Sequence, residues 1–283
     1  MLQILVADGN ARDGRARHVA ATGQTSAQAY GTILKALAPD VAVTILNPAD
    51  ADAELPRGTA LASFDGVIMT GSELHVSDGT PAVQRQIGLV RDCLAAGRPI
   101  FGSCWGVQVA AAVAGGRAGR NPHGPEYGFA RRIVPTRIGQ QHPLLGGRPA
   151  AFDAPAMHLD AVIEPPPDCR VLAENGLLNV QAIEIVRGDG VFWGTQYHPE
   201  LDLDALAAML RLGSADVLEA GLCRTREAVE AYAAELDALH ADPDGRLDLV
   251  WRHGLGPEVI EPAQRRREIA NFLERLVRPR ARR

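Results

Sequence analysis

Residues 2–7, 41–46, 66–70 and 99–103 are short apolar runs rich in β-branched side chains, the pattern of strands buried on both faces. Between them, residues 26–37 and 82–96 carry apolar side chains at helical spacing, and Gly97 marks the stop of the second helix. Strand, helix, strand, helix in that order predicts an α/β chain: a three-layer sandwich whose central sheet is mostly parallel and covered on both faces. From residue 130 to 196 the pattern changes. Residues 132–137, 170–173, 180–186 and 191–196 are predicted to add mixed or antiparallel strands at one side of the sheet.

Residues 10–24 follow the first strand and have no clear period, so they are expected as a loop at the carboxyl edge of the sheet. Pattern alone leaves open whether that loop is plain surface or faces a ligand. Helical spacing resumes over residues 203–212, and Gly213 marks a boundary. Beyond it, residues 215–239 are predicted as one amphipathic helix, 240–245 as a turn, and 262–277 as a last helix. Asp242, Asp244 and Gly245 hold too little of a calcium loop's pattern to suggest one. The chain thus divides into residues 1–212 and a helical C-terminal extension, 213–283, expected to pack on the core or between subunits.

The chain's 283 residues, 46% of them hydrophobic, suffice for one large domain with an extension. Lys35 is the only lysine and sits outside any Gly-Lys-Ser/Thr run, which excludes a phosphate-binding P-loop and leaves little room for a lysine nucleophile. A net charge of −5 gives no footprint for nucleic acid. The basic end (Arg265, Arg266, Arg267, Arg278, Arg280, Arg282, Arg283) is expected as a solvated helix face, with an acidic partner as the alternative. No apolar run is long enough to span a membrane, and the N-terminus has the pattern of a strand, not of a signal peptide. Four cysteines without a Cys-x-x-Cys pair fit a reducing cytoplasm, and the histidines lack metal-ligand spacing, so neither metal nor cofactor is expected.

Two segments carry chemistry. Gly102-Ser103-Cys104-Trp105-Gly106-Val107-Gln108 follows a predicted strand and opens an alanine-rich helix. A cysteine between strand and helix, with glycines two residues to either side, is a nucleophile elbow with Cys in place of Ser. The glycines permit close backbone approach, and the helix N-terminus favours the thiolate. The second segment is Thr195-Gln196-Tyr197-His198-Pro199-Glu200. Pro199 holds His198 extended, so His198 and Glu200 face one way and the carboxylate can orient the imidazole. Alone, a His-x-Glu is more often a surface pair; beside an elbow cysteine it suggests nucleophile, base and orienter.

In these segments the chain resembles the class I (triad) glutamine amidotransferases, most closely the free-standing amidotransferase domains of the GMP synthetase type, over about residues 1–212. Ile68-Met69-Thr70-Gly71-Ser72 resembles the family's oxyanion segment, with Gly71-Ser72-Glu73 where Gly-Gly-Pro is usual, and Met157-His158-Leu159-Asp160 resembles its Ser-His-Gly-Asp segment. The resemblance implies a flavodoxin-like fold. It also implies that Cys104 attacks a γ-glutamyl amide, that backbone N–H groups of Trp105 and of Gly71 or Ser72 hold the oxyanion, and that His198, oriented by Glu200, shuttles the proton. Gln108, Tyr127, Gly128, Phe129 and His158 are the substrate-binding candidates it suggests; the Trp105 ring either walls the pocket or packs against the sheet. The substrate is expected to be a small γ-glutamyl compound, either glutamine hydrolysed for a separate synthetase or ligase partner, or an N-substituted γ-glutamyl amide. A non-catalytic binding or regulatory subunit on the same scaffold is the alternative from another class. The sequence leaves the oligomeric state open, a homo-oligomer included.

Overall fold

The computed structural model describes residues 1–281, so Arg282 and Arg283 of the basic end lie outside the described residues. In chain order the first half is β1 (Leu2–Ala7), α1 (Arg12–Thr22), α2 (Ser26–Leu37), β2 (Val41–Leu46), β3 (Gly66–Met69), α3 (Pro81–Ala95), β4 (Pro99–Ser103) and α4 (Trp105–Val113). Seven strands follow: β5 (Arg117–Arg120), β6 (Glu126–Pro135), β7 (Phe152–His158), β8 (Asp160–Glu164), β9 (Arg170–Glu174), β10 (Ala182–Arg187) and β11 (Gly190–Thr195). The larger helices beyond them are α5 (Leu203–Leu212), α6 (Ser214–Glu219), α7 (Arg226–Ala241) and α8 (Leu247–His253).

Nine strands form one sheet in the order β2-β1-β3-β4-β11-β10-β9-β6-β7. From β2 to β11 neighbours run parallel; from β11 to β7 they run antiparallel. The expectation of a parallel core with antiparallel strands at one side therefore holds, and the parallel part ends in the two strands, β4 and β11, that lead into the chemistry-bearing segments. Side chains alternate across β1: Ile4 and Val6 pack on α2, Leu5 and Ala7 on the α3–α4 side. β5 and β8 make a separate antiparallel pair.

Residues 10–24, expected as a loop, contain α1. Only Gly14 and His18 of this helix are buried, so it has no apolar stripe for periodicity to find. The expected helix 215–239 is two, α6 and α7, broken around Gly221, whose φ of 72° is left-handed, before Thr225 caps α7 by accepting from the Ala228 N–H. The expected helix 262–277 is likewise broken, at Arg266, into short turns that end in a wider-wound segment, Phe272–Val277.

The extension is packed on the core. Ile269, Phe272, Leu273 and Val277 join α2 in covering one face of the sheet, with the Phe272 ring 5.7 Å from that of Phe101. α7 and α8 bury their apolar faces against α5 and Phe129. Within the basic end, Arg265 departs from the expected solvated face and donates from within the core to the Val259 and Ile260 carbonyls, whereas at the surface Arg278 pairs with Asp40 and Glu274 and Arg280 donates to the Asp189 carbonyl.

Candidate active site

Cys104 lies at the end of β4 with φ 49° and ψ −100°, a backbone region that non-glycine residues seldom adopt. The sequence enforces this locally. A Cβ on Gly102 would lie 2.9 Å from the Gly106 backbone, and one on Gly106 would lie 2.8 Å from the Met69 carbonyl, so no larger residue fits either flank. The turn is pinned by the Cys104 N–H donating to the Thr195 carbonyl at 2.8 Å, which ties β4's end to β11's. Cys104 is the residue at the N-terminal cap position of α4.

His198 and Glu200 meet Cys104 from the end of β11. The His198 Nδ1 lies 2.7 Å from Glu200 Oε1, and the His198 N–H donates to the Pro155 carbonyl of β7 at 2.8 Å. Its Nε2 is buried and makes no hydrogen bond that meets ordinary geometry. Burial pulls the imidazole pKa down, but the charges of Glu200 and Cys104 and their hydrogen bonding outweigh it and raise the pKa to about 10. For Glu200, burial pushes the pKa up, but the His198 charge and the hydrogen bonds it receives hold it below its ordinary value.

Behind this pair stand two residues that the sequence reading did not single out. Ser103 Oγ donates to Glu200 Oε1 at 2.9 Å, and Tyr30 OH donates to Oε2 at 3.0 Å while lying 2.8 Å from the Ser103 hydroxyl. Ser103 adjoins the elbow and could have been found by position. Tyr30 sits in the apolar stripe of α2 and looks like any core aromatic until the carboxylate is placed.

The amides of Gly71, Ser72 and Trp105 donate no hydrogen bond within the described residues. Trp105 is the first residue of α4, whose amide has no partner within the helix. Gly71 runs so close to the imidazole that a Cβ there would lie 2.8 Å from His198 Cε1. The Trp105 ring packs inside: it is fully buried on the α3 side of the sheet, and its Nε1 donates to Gln86 Oε1 at 2.7 Å.

A cavity of about 520 Å³ opens over Cys104 and is lined by Gly71, Ser72, Gln108, Tyr127, His158, His198 and Glu200 among others. Gln108 donates from Nε2 to the Asp160 carbonyl at 2.9 Å. His158 pairs through Nε2 with the buried Glu126 at 3.1 Å, leaving Nδ1 without a partner. Burial, then the nearby Asp216 charge, pushes Tyr127 up to about 12. Gly128 and Phe129 fall outside the wall: Gly128 backs onto Tyr232, and Phe129 packs among the α5 and α7 side chains. Their neighbour Tyr127 does line the cavity, although it shares its face of β6 with Phe129 and also packs against the same α5–α7 cluster. The wall also includes Gly14, Arg17 and His18 of α1, which packs against α5, and Asp216 and Arg266 of the extension. Among the described residues no group of three or more His, Cys, Asp or Glu side chains could hold a metal ion, and no helix is long and apolar enough to cross a membrane.

Fold and site together define an α/β scaffold that presents a cysteine at a strand-to-helix elbow, with a histidine–glutamate pair beside it. The sequence profile described as "Glutamine amidotransferase class-I" matches residues 30–213, and the chain belongs to that family. It is 33% identical over 288 residues to a γ-glutamyl-L-1-hydroxyisopropylamide hydrolase from a Pseudomonas species, a match spanning 100% of this chain and 95% of the relative. It is 34% identical over 146 residues to the glutamine-hydrolysing GMP synthase of Aeropyrum pernix, spanning 51% of this chain and 26% of that one. A crystal structure of a glutamine amidotransferase from Thermotoga maritima has the same fold, with a TM-score of 0.66 at 16% identity over 98% of both chains.

Proposed function

We propose that this chain is a hydrolase of N-substituted γ-glutamyl amides that works through a γ-glutamyl thioester on Cys104. The observation that carries the reading is where the cavity wall comes from. α1 and the extension, which supply Gly14, Arg17, His18, Asp216 and Arg266, lie outside residues 30–213 or at their very end, but inside the full-length match to the Pseudomonas hydrolase. The GMP synthase match spans only 51% of the chain. The parts that would contact the amine half of a substrate are thus parts shared with an amide hydrolase.

In this mechanism the Cys104 thiolate attacks the γ-carboxamide carbon. The amides of Trp105 and of Gly71 or Ser72, free of internal partners, receive the negative charge that develops on the oxygen, and losing one such donor typically costs about 10²–10³ in rate. The His198 imidazolium gives its proton to the departing nitrogen as the C–N bond breaks, leaving the glutamyl group on sulfur. The neutral imidazole then takes a proton from water, which attacks the thioester and frees glutamate and the thiolate. Glu200 holds the imidazole through Nδ1 in both steps. Gln108, Tyr127 and His158 line the space beside the sulfur and are assigned to the glutamyl half.

Glutamate release from γ-glutamyl alkylamides and from free glutamine, together with trapping of Cys104 by a glutamine-like electrophile, tests this. Faster release from the alkylamides and labelling lost in Cys104→Ala are expected. No labelling at any pH where the fold persists would defeat the enzyme reading and favour a binding or regulatory role. A second reading has its own support in the matches to glutamine-hydrolysing GMP synthase chains from Ignicoccus hospitalis and Sulfurisphaera tokodaii, at 34% and 31% identity. In it, the chain hydrolyses glutamine for a separate synthetase; glutamine hydrolysis that appears only with such a partner would decide for it.

A further inference from the structure

The two ends of the cavity are built on opposite faces of the sheet. Gln108 belongs to α4, which packs on the Leu5 face of β1, whereas α2 and the segment after Arg266 pack on the Ile4 face. Glu200 lies on the α2 side, because Tyr30 of α2 and Ser103 both bind its carboxylate. Ser103 shares its face of β4 with Phe101, which packs on that side. With the glutamyl half assigned to the Gln108 side of the cavity, the α2 and Arg266 side is the one left for the departing amine.

That end of the cavity holds an unspent cation. The Arg266 side chain lines the cavity, its Nε is buried without a hydrogen-bond partner, and it makes no ion pair among the described residues. The other arginine on the wall, Arg17, is committed to Glu73. Asp202 and Asp204 also line the cavity; Asp202 accepts from the Ala205 N–H as the cap of α5, and neither pairs with Arg266. Arg266 is half-buried, and an unpaired guanidinium on a cavity wall is matched by a carboxylate, which two parallel N–H groups can bind at once.

We propose that Arg266 binds a carboxylate on the amine half of the substrate, so that the favoured substrates are γ-glutamyl amides of amino acids. This rests on the hydrolase reading. The step is the same hydrolysis: the amide C–N bond breaks, water supplies the hydroxyl of glutamate, and the amino acid leaves with the proton from His198.

The test compares kcat/KM for three amides in which one methyl group is varied: γ-glutamylisopropylamide, γ-glutamyl-L-1-hydroxyisopropylamide and γ-glutamylalanine, carrying methyl, hydroxymethyl and carboxylate in turn. The wild type is expected to favour the carboxylate over the methyl by about 10- to 100-fold, the range of a hydrogen-bonded charge pair. In Arg266→Gln and Arg266→Ala that ratio falls toward one, and Arg266→Lys keeps part of it. An unchanged ratio in the variants overturns the proposal, as does a wild type that prefers the methyl. Equal losses on all three amides would place Arg266 on the glutamyl half and overturn it too. If the wild type turns over none of them, the hydrolase reading fails. Calorimetric binding of γ-glutamylalanine to Cys104→Ala, with and without Arg266→Gln, then still decides the role of Arg266: binding that does not weaken in the double variant refutes it.

Discussion

The hydroxyl of Tyr30 donates to Glu200 Oε2 at 3.0 Å, across 170 positions of sequence and inside the core. Burial first, and the Glu200 charge second, push the Tyr30 pKa far above its ordinary value, so the phenol remains a donor wherever the fold persists. Tyr30→Phe keeps the ring and removes one hydrogen bond to the carboxylate that orients His198. The expected outcome is a roughly tenfold fall in kcat with the fold retained, the scale of a hydrogen bond to a charged group. Steady-state kinetics beside a thermal melt checks it; a lower melting temperature with unchanged kcat would make Tyr30 purely structural.

Gly71→Ala probes the other side of the imidazole. The added methyl would lie 2.8 Å from His198 Cε1, so either the ring or the loop must move. Turnover should fall about 100-fold or more, as when an oxyanion donor is lost. Labelling of Cys104 should survive, because the elbow itself is untouched. Near-normal turnover would mean that the Gly71 amide is dispensable.

The His198–Glu200 pair sets a pH window. The folded pKa of His198 is raised from 6.5 to about 10, so its contribution to stability is complete below about 6.5 and is lost as pH rises through about 10. Glu200 is lowered from 4.5, so its contribution is present above that value and is lost as pH falls through its folded pKa. Activity that depends on a proton from His198 should therefore hold through neutral pH and decline near pH 10. A pH–rate profile for glutamate release with its alkaline limb near 7 would contradict this assignment.

The extension makes a prediction about stability. Arg148 and Glu268 are fully buried as a 2.6 Å ion pair, and Tyr197 OH donates to the same carboxylate at 2.9 Å, one residue before His198. Arg148→Met leaves Glu268 charged and unmatched, at a cost of about 3–5 kcal/mol in urea unfolding. Replacing both partners, as Arg148→Met with Glu268→Leu, should recover most of that stability while lowering turnover, because Tyr197 loses its acceptor. Equal destabilisation by the single and double variants would refute the pair's role.

The elbow was legible because its signal is local: an apolar run, two glycines at fixed offsets, and a helix start. β1 to β4, α2 and α5 were legible by period. The α1 helix was not, since its buried face is a glycine and a histidine and its ends touch other elements of the cavity. β7 went unread because Pro155 stands inside it, tolerable only at a sheet edge, and β7 is the last strand. Nor could composition show that Arg265 and Arg266 point inward, because burial of an arginine depends on carbonyls and cavities that only the folded chain assembles. His158 was found through its motif, but its partner Glu126 lies 32 positions away and has no sequence signal.

β1 sits in the interior of the sheet, between β2 and β3, and Phe272 fills the core against Phe101. Both lie outside residues 30–213, the stretch by which the family is known. That stretch carries Cys104, His198 and Glu200, yet excised it would lack a central strand and lose part of the cover on one face of its sheet. The unit of recognition and the unit of folding are different lengths of this polypeptide. Transplanting the amidotransferase segment into another protein would move the reactive groups without the architecture that aligns them.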